Sequence, residues 1–182
     1  MKKLILVMCT AAIFSCQTEK GIVVTLNDDK SKTVLSAYDD YLNNDTDEWI
    51  GTVFSPESKV YSNSVEPITI QENLENIAMH HELFEDISMQ FGDSDEKAWV
   101  QTVTYPEIGT FSQAWFTWKA TGKASGTVVE VPVHIGYEWN DGLIVNTWLH
   151  SDQSKLLAEV QFVESMKEYE ACNLNPLFTK KT

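Results

Sequence analysis

A strictly alternating run from Val129 to Trp139 is the feature that most constrains the fold of this chain. Apolar residues occupy every second position, and residues such as Glu130 and His134 stand between them. Successive side chains of a strand point to opposite faces, so this pattern predicts a long strand with one buried face. Asp141-Gly142 follows and is typical of a tight hairpin, because glycine accepts a positive φ. The segment from Trp115 to Asp152 is therefore predicted to form three consecutive antiparallel strands.

The N-terminal residues predict export from the cytoplasm. Met1-Lys2-Lys3 is basic, and Leu4–Phe14 is mostly apolar but too short to span a membrane. The run ends in Ser15-Cys16, which resembles the lipobox of bacterial lipoproteins. We expect residues 1–15 to be a signal peptide and Cys16 to carry the lipid that anchors the protein in the bacterial envelope, at the outer membrane. The alternative is an ordinary secretory signal followed by an unmodified cysteine.

Composition argues against several classes of partner. The 182 residues include 13 basic residues, none of them arginine, and 27 acidic residues, for a formal net charge of −14. Without arginine the chain lacks bidentate recognition of phosphate, and its negative field disfavours nucleic acid. If Cys16 carries lipid, Cys172 has no cysteine partner in the mature chain. We therefore expect a hydrophobic core, and no disulfide, to stabilise the fold.

Helix signals precede the strand signals along the chain. A first helix is predicted to begin at Ser31 or Thr33, a short second one after Thr46, and a third at the capping box formed by Thr69 and Glu72. Helices grouped before long antiparallel strands indicate an α+β fold, with a strongly curled sheet wrapped around the N-terminal helices and a C-terminal helix after it. The predicted organisation is a signal peptide (1–15), a tether (16–31), one domain (32–170) and a polar tail (171–182).

The chain resembles the SnoaL-like, polyketide-cyclase-like branch of the nuclear-transport-factor-2-like superfamily. The resemblance rests on Val131-Pro132-Val133-His134, on the run from Tyr137 to Ile144, and on Trp148 followed by Asp152. The order and spacing of these motifs agree with the branch from Lys32 to Val160. The resemblance implies a cone-shaped half-barrel with a pocket between its concave face and its helices, and frequent homodimers through the convex face. Functions on this fold range from isomerases and cyclases to small-ligand binding and scaffolding.

Two residues are candidates for catalysis. The resemblance places Asp152 at the pocket, where apolar walls would raise the pKa of a carboxyl and suit it to general acid/base work beside a carbonyl. The alternative is that Asp152 caps the C-terminal helix. His81 lies on the apolar face of its predicted helix and is the second candidate, against the alternative of a hydrogen-bonded core histidine. His80 and His81 lack the i, i+4 spacing of helical metal ligands, so we expect no metal, and without a glycine-rich phosphate loop we expect no cofactor.

Five residues are predicted to line a ligand cavity: Tyr38, Trp49, Tyr105, Ile135 and Tyr137. Ile135 stands where ketosteroid isomerase, on this fold, places a hydrogen-bond donor, which argues against steroid-isomerase chemistry. The alternative is that these side chains fill the core. Trp115, Trp148 and His150 fall on the opposite, convex face, where exposed apolar groups indicate a homodimer interface.

Three functions follow from these features. The first is a lipid-anchored binding domain whose pocket holds a small apolar or carbonyl-bearing molecule. The second is a cyclase- or isomerase-type enzyme with Asp152 as general acid/base. The third is a protein-interaction domain with a filled cavity.

Overall fold

The computed structural model describes residues 21–174, so the predicted signal peptide and the predicted lipidation site Cys16 lie outside the described residues. The helices are α1 (Asp29–Leu42), α2 (Ile70–Leu83) and α3 (Ser154–Leu174). The strands are β1 (Val23–Thr25), β2 (Phe54–Ser62), β3 (Ile68–Thr69), β4 (Phe84–Gln90), β5 (Trp99–Tyr105), β6 (Gly109–Gly122), β7 (Val128–Asn140) and β8 (Leu143–Ser151). The predicted α+β fold is confirmed.

The eight strands form one sheet. Seven of them follow the order β1-β5-β6-β7-β8-β2-β3, and β4 lies outside this order and pairs with β6. The long strand β6 pairs with β5 along its first half and with β4 along its second half. Strand β2 runs parallel to β8, and the other pairs are antiparallel. A long twisted sheet of this kind curls, so its two faces differ in curvature.

The inner face of the sheet carries the core. On β7 the predicted alternation holds at five of the six apolar positions from Val129 to Trp139, which are buried, and Val133 is partly buried. The residues of the other parity are exposed or partly buried. Helix α1 lies over β5 and β6 and contributes buried residues to this core. We call the face that carries these residues the inner face and the opposite one the outer face.

A chain of hydrogen bonds fixes the start of α1 to the sheet. Asp28 caps the helix by accepting from the Ser31 N–H at 2.7 Å and also accepts from the Thr102 hydroxyl at 3.0 Å. Thr102 bonds to Ser112 at 2.8 Å, and the Trp139 Nε1–H donates to Ser112 at 2.8 Å. Burial raises the pKa of Asp28, but hydrogen bonds from Thr25, Ser31 and Thr102 together lower it below its ordinary value. Four elements are thereby connected through buried polar groups.

The structure differs from the predicted elements at two places. Strand β1 pairs with β5 and α1 begins at Asp29, so folded elements occur inside the segment expected to be a tether. The short helix predicted after Thr46 is replaced by turns. Gly51 has a φ of +90°, which an α-helix cannot contain, and the chain reverses there into β2. The capping box of Thr69 and Glu72 is present as predicted.

Helix α3 is attached through its first turns. Leu156 packs against the core, and the buried Glu159 carboxylate accepts hydrogen bonds from the turn between β6 and β7. Beyond these turns its side chains are mostly exposed. Within residues 21–174, no helix has both the length and the apolar character needed to cross a membrane.

Candidate functional site

Four of the five residues predicted to line a cavity lie in the packed core. Tyr38, Trp49, Ile135 and Tyr137 are 6%, 6%, 8% and 5% exposed. The hydroxyls of Tyr38 and Tyr137 bond to each other at 2.9 Å, and the Tyr38 ring meets Phe116 edge to face with centroids 5.2 Å apart. Burial raises the pKa of both tyrosines, so both hydroxyls stay protonated. These polar groups satisfy one another in the core and leave little capacity for a ligand.

Tyr105 does not join this group. It stands at the end of β5 on the outer face, where its ring meets Phe111 with centroids 6.0 Å apart. Its predicted partners Tyr38 and Tyr137 are on the inner face. The parity of β5 separates them, because Thr102 faces inward and Tyr105 is an odd number of residues further along the strand.

Asp152 is exposed at the start of α3. Its carboxylate accepts a hydrogen bond from the Ser154 N–H at 3.0 Å. Hydrogen bonds from Ser154 lower the pKa of Asp152, which is the opposite of the shift that the predicted general acid/base requires. The surroundings of Asp152 are those of a helix-capping residue.

His81 and its neighbour His80 both contact Tyr41, at the end of α2. The Trp118 Nε1–H donates to the Tyr41 hydroxyl at 2.7 Å, and that hydroxyl lies 3.2 Å from His80 Nδ1. Burial, with a smaller contribution from His81, lowers the pKa of His80 to about 4, so its ring is neutral near pH 7. His80 Nδ1 is therefore engaged in a hydrogen bond with Tyr41 inside the protein, whichever of the two groups donates.

His81 is partly buried, and its ring meets Tyr41 edge to face with centroids 5.2 Å apart. Its Nε2 is buried and has no hydrogen-bond partner among the described residues. Within residues 21–174 no hydrogen bond or ion pair joins the His81 ring to a carboxylate, in contrast to the base–orienter pairs of acid/base enzymes. The described residues also include no group of three or more His, Cys, Asp or Glu placed to hold a metal ion.

The outer face carries two rows of rings that run across the strands. The first row joins Trp99, Trp115, His134 and His150, which stand directly opposite one another on β5, β6, β7 and β8. Centroid distances along it are 5.0, 4.7 and 6.4 Å. In the second row Trp148 on β8 stacks on Tyr61 of β2, with centroids 5.9 Å apart and planes 11° apart. Cross-strand ring pairs of this kind stabilise a sheet.

Gly136 interrupts the second row. It lies opposite Gln113 on β6 and Trp148 on β8, and it has no side chain to fill the space between them. The result is a hollow of about 450 Å³, whose lining also includes Phe111 and Tyr105. A second hollow of about 320 Å³ lies on the other side of the first row, and both hollows share His134 and His150.

His134 is the polar group between the two hollows. Its Nε2 is buried and has no hydrogen-bond partner in the described part of the chain. Partial burial, followed by repulsion from His150, lowers the pKa of His134, so its ring is neutral near pH 7. A neutral imidazole offers one donor and one acceptor.

Comparison with solved structures identifies the fold. IdmH, a candidate polyketide cyclase from Streptomyces antibioticus, is 17% identical with a TM-score of 0.55, over 74% of this chain and 99% of that chain. A SnoaL-like polyketide cyclase from Agrobacterium tumefaciens strain C58 is 12% identical with a TM-score of 0.51, over 72% and 97%. A candidate SnoaL-like polyketide cyclase from Jannaschia sp. CCS1 is 18% identical with a TM-score of 0.52, over 71% and 90%. The fold is SnoaL-like.

This chain shares a fold with these proteins, and the sequence identities are too low to carry an activity across. No model of a protein family matches the sequence, and no curated protein matches it either. The function must therefore be argued from the site itself.

Sequence reasoning missed the two features that stand out in the structure. The role of Tyr41 depends on Trp118, which lies 77 residues away, and no local pattern reveals that contact. Gly136 falls on the outer parity of β7, and a glycine inside a strand is a signal for an opening or a close approach. That signal was available, but the neighbours of Gly136 are known only from the register.

Proposed function

We propose that this protein is a lipid-anchored domain of the bacterial envelope that binds a small apolar or carbonyl-bearing molecule without converting it. The observation that carries the proposal is the placement of the open space, which lies on the outer face among aromatic rings. The larger hollow is an open depression of about 450 Å³, a volume large enough for a small molecule. It is mostly apolar, with a few polar groups, as ligand sites usually are.

Binding is favoured over catalysis because polar groups of the inner face are already hydrogen-bonded to one another. The hydroxyls of Tyr38 and Tyr137 bond to each other, and His80 Nδ1 is occupied by Tyr41. Asp152 is exposed, and its lowered pKa makes it a weak base. An acid/base enzyme needs at least one group of matched pKa within reach of the reacting atoms. The cyclase alternative rests on the shared fold alone.

The ligand test begins with the protein as it is purified. Native mass spectrometry of the intact chain, followed by extraction, should detect a bound small molecule. Trp148→Ala removes a wall of the larger hollow and should lower the bound fraction at least ten-fold. Tyr169→Ala removes an exposed aromatic ring from α3 and serves as the matched control. A ligand retained equally by both variants, or turnover of the retained molecule, would contradict the proposal.

The anchor is supported by the sequence at Ser15-Cys16. Cys16→Ser should move the protein from the membrane fraction to the soluble fraction after cell lysis, and metabolic labelling with palmitate should be lost. Membrane association that persists in this variant would refute the anchor and leave the ligand proposal unaffected.

A second candidate function is a homodimer through the outer face. It is favoured because the central residues of this face, such as Trp115 and Phe111, are uncharged and partly exposed although the chain has a net charge of −14. Apolar patches of this kind often mark contacts between proteins. Sedimentation velocity over a range of protein concentrations tests it, with Trp115→Ser as the disrupting variant. A monomer at all concentrations would exclude this candidate.

A further inference from the structure

The hollow over Gly136 has walls of two different kinds, and these bear on what it can hold. One face of the Trp148 ring is covered by Tyr61, and the ring extends toward Gly136, where a Cβ would lie 3.8 Å from Trp148 Cε3. Phe111 lies beyond it, with ring centroids 6.5 Å apart and planes tilted by 40°. Two rings that enclose a third need about 7 Å between them, since carbon atoms in contact lie about 3.5 Å apart. The observed separation is about 0.5 Å short of that spacing, so a ring held between them requires Trp148 and Phe111 to move apart by that amount.

The hollow offers a hydrogen-bond donor at its edge. The Gln113 Oε1 accepts from Gln101 at 2.9 Å, which leaves the NH₂ group of Gln113 to donate. His134 also lines the hollow, but its Nε2 is shielded from solvent and does not open into it. A donor at one edge of a pair of rings, here the Gln113 NH₂ group, suits a carbonyl oxygen.

Charge is the third property of the hollow. The residues that line it, as the structure describes them, include no Asp, Glu or Lys. The nearest carboxylate along β7, that of Glu138, is engaged by Asn146 at 2.7 Å. A charged ligand would lose its hydration without gaining a counter-ion, and the net charge of −14 further disfavours an anion.

We infer that the hollow over Gly136 binds a flat, uncharged ring compound that carries a carbonyl group. The ring inserts between Trp148 and Phe111, and its carbonyl accepts from the Gln113 NH₂ group. This inference rests on the proposed function, which it deepens by naming the class of ligand and the place where it binds.

Gly136 provides the sharpest test because a side chain added there would fill the hollow without breaking the sheet. Its φ is not in the left-handed region, and the nearest atom to an added Cβ is at an ordinary contact distance. Valine is a good strand former, so Gly136→Val should fold while its methyl groups enter the hollow. Thr117→Ile adds similar bulk to the smaller hollow and is the matched control.

The probes are coumarin, which is flat, uncharged and carries a carbonyl; naphthalene, which lacks the carbonyl; camphor, a ketone that is not flat; and the anion coumarin-3-carboxylate. Calorimetry and saturation-transfer NMR with the intact chain measure binding. Coumarin should bind at least ten-fold more tightly than camphor or the anion. Gly136→Val should weaken the binding of coumarin at least ten-fold, and Thr117→Ile less than two-fold. Gln113→Leu should weaken the binding of coumarin but leave the binding of naphthalene unchanged.

Several results would overturn the inference. They include equal binding of camphor and coumarin, unchanged binding in a folded Gly136→Val variant, or a change of oligomeric state in that variant with no effect on coumarin. If a co-purified ligand is lost in Trp148→Ala but is not a flat ring, this inference fails and the proposed function stands. If nothing co-purifies and no probe binds, both fail.

Discussion

The contact between Glu159 and the turn after β6 is predicted to hold α3 on the domain. Glu159 is 3% exposed, and its carboxylate accepts from the backbone N–H groups of Ala124 at 3.1 Å and Ser125 at 3.2 Å, as well as from the Ser125 hydroxyl. A hydrogen bond to a charged acceptor contributes about 1.5–3 kcal/mol. Glu159→Ala removes the acceptor from both N–H groups, so we expect a loss of about 3 kcal/mol in the free energy of unfolding. The melting temperature should fall by roughly 10 °C.

Gly122 approaches the same carboxylate from the other side, which makes a double-mutant cycle possible. A Cβ on Gly122 would overlap the Glu159 carboxylate, so Gly122→Ala alone should also destabilise the domain. In Glu159→Ala the clash partner is absent, and the second substitution should then cost much less. The double variant should therefore be at least 1 kcal/mol more stable than the sum of the single effects predicts.

The assays are urea unfolding of each variant and hydrogen exchange of peptides from α3. Exchange in the first turns of α3 should rise in Glu159→Ala and in Gly122→Ala. Glu164→Ala, an exposed position on the same helix, is the control and should change neither measurement. Additive effects of Glu159→Ala and Gly122→Ala, or unchanged exchange in α3, would refute this account of the contact.

Three further predictions concern the interior and the start of α3. The pKa of His80 is about 4 in the folded protein against an ordinary 6.5, so the free energy of unfolding should be highest above pH 6.5 and fall by up to about 3 kcal/mol as the pH drops toward 4. His80→Asn keeps a hydrogen-bond acceptor but does not titrate, so it should flatten this dependence in urea unfolding at stepped pH. Tyr41→Phe leaves Trp118 Nε1 and His80 Nδ1 unpaired and should cost about 2 kcal/mol, whereas Tyr169→Phe at an exposed site should cost nothing measurable by the same method. Asp152→Asn should leave ligand retention unchanged and lower the melting temperature by only a few degrees, and loss of the ligand in this variant would count against the outer-face site.

Local patterns predicted the main elements because they depend on neighbours in sequence. The alternation on β7 sorts Ile135 and Tyr137 from His134 by parity alone, and the capping box needs only Thr69 and Glu72. The prediction of a short helix after Thr46 was wrong. Gly51 adopts a positive φ, and this turn outweighs the helical spacing of the apolar residues around it.

The candidate site was harder to predict because it depends on register. Tyr38 and Tyr137 are 99 residues apart, and whether their hydroxyls meet each other or a ligand is decided by how α1 lies on the sheet. Tyr105 was assigned to the cavity as an aromatic residue, although its parity on β5 places it on the outer face. The rows of rings and the gap at Gly136 require the pairing of four strands to be known at once.

The sheet combines pairings between strands that are close in sequence and strands that are far apart, and this difference bears on how the chain folds. The hairpin of β6 and β7 joins neighbours along the chain, so its closure carries a small entropic cost and should come early. The parallel pairing of β2 with β8 joins residues as far apart as Phe54 and Ile144, 90 positions along the sequence. Because that closure orders nearly the whole intervening chain, we expect it to form late, after the folding transition state. Substitutions in the β2–β8 pairing should therefore speed unfolding more than they slow folding, while those in the β6–β7 hairpin should chiefly slow folding.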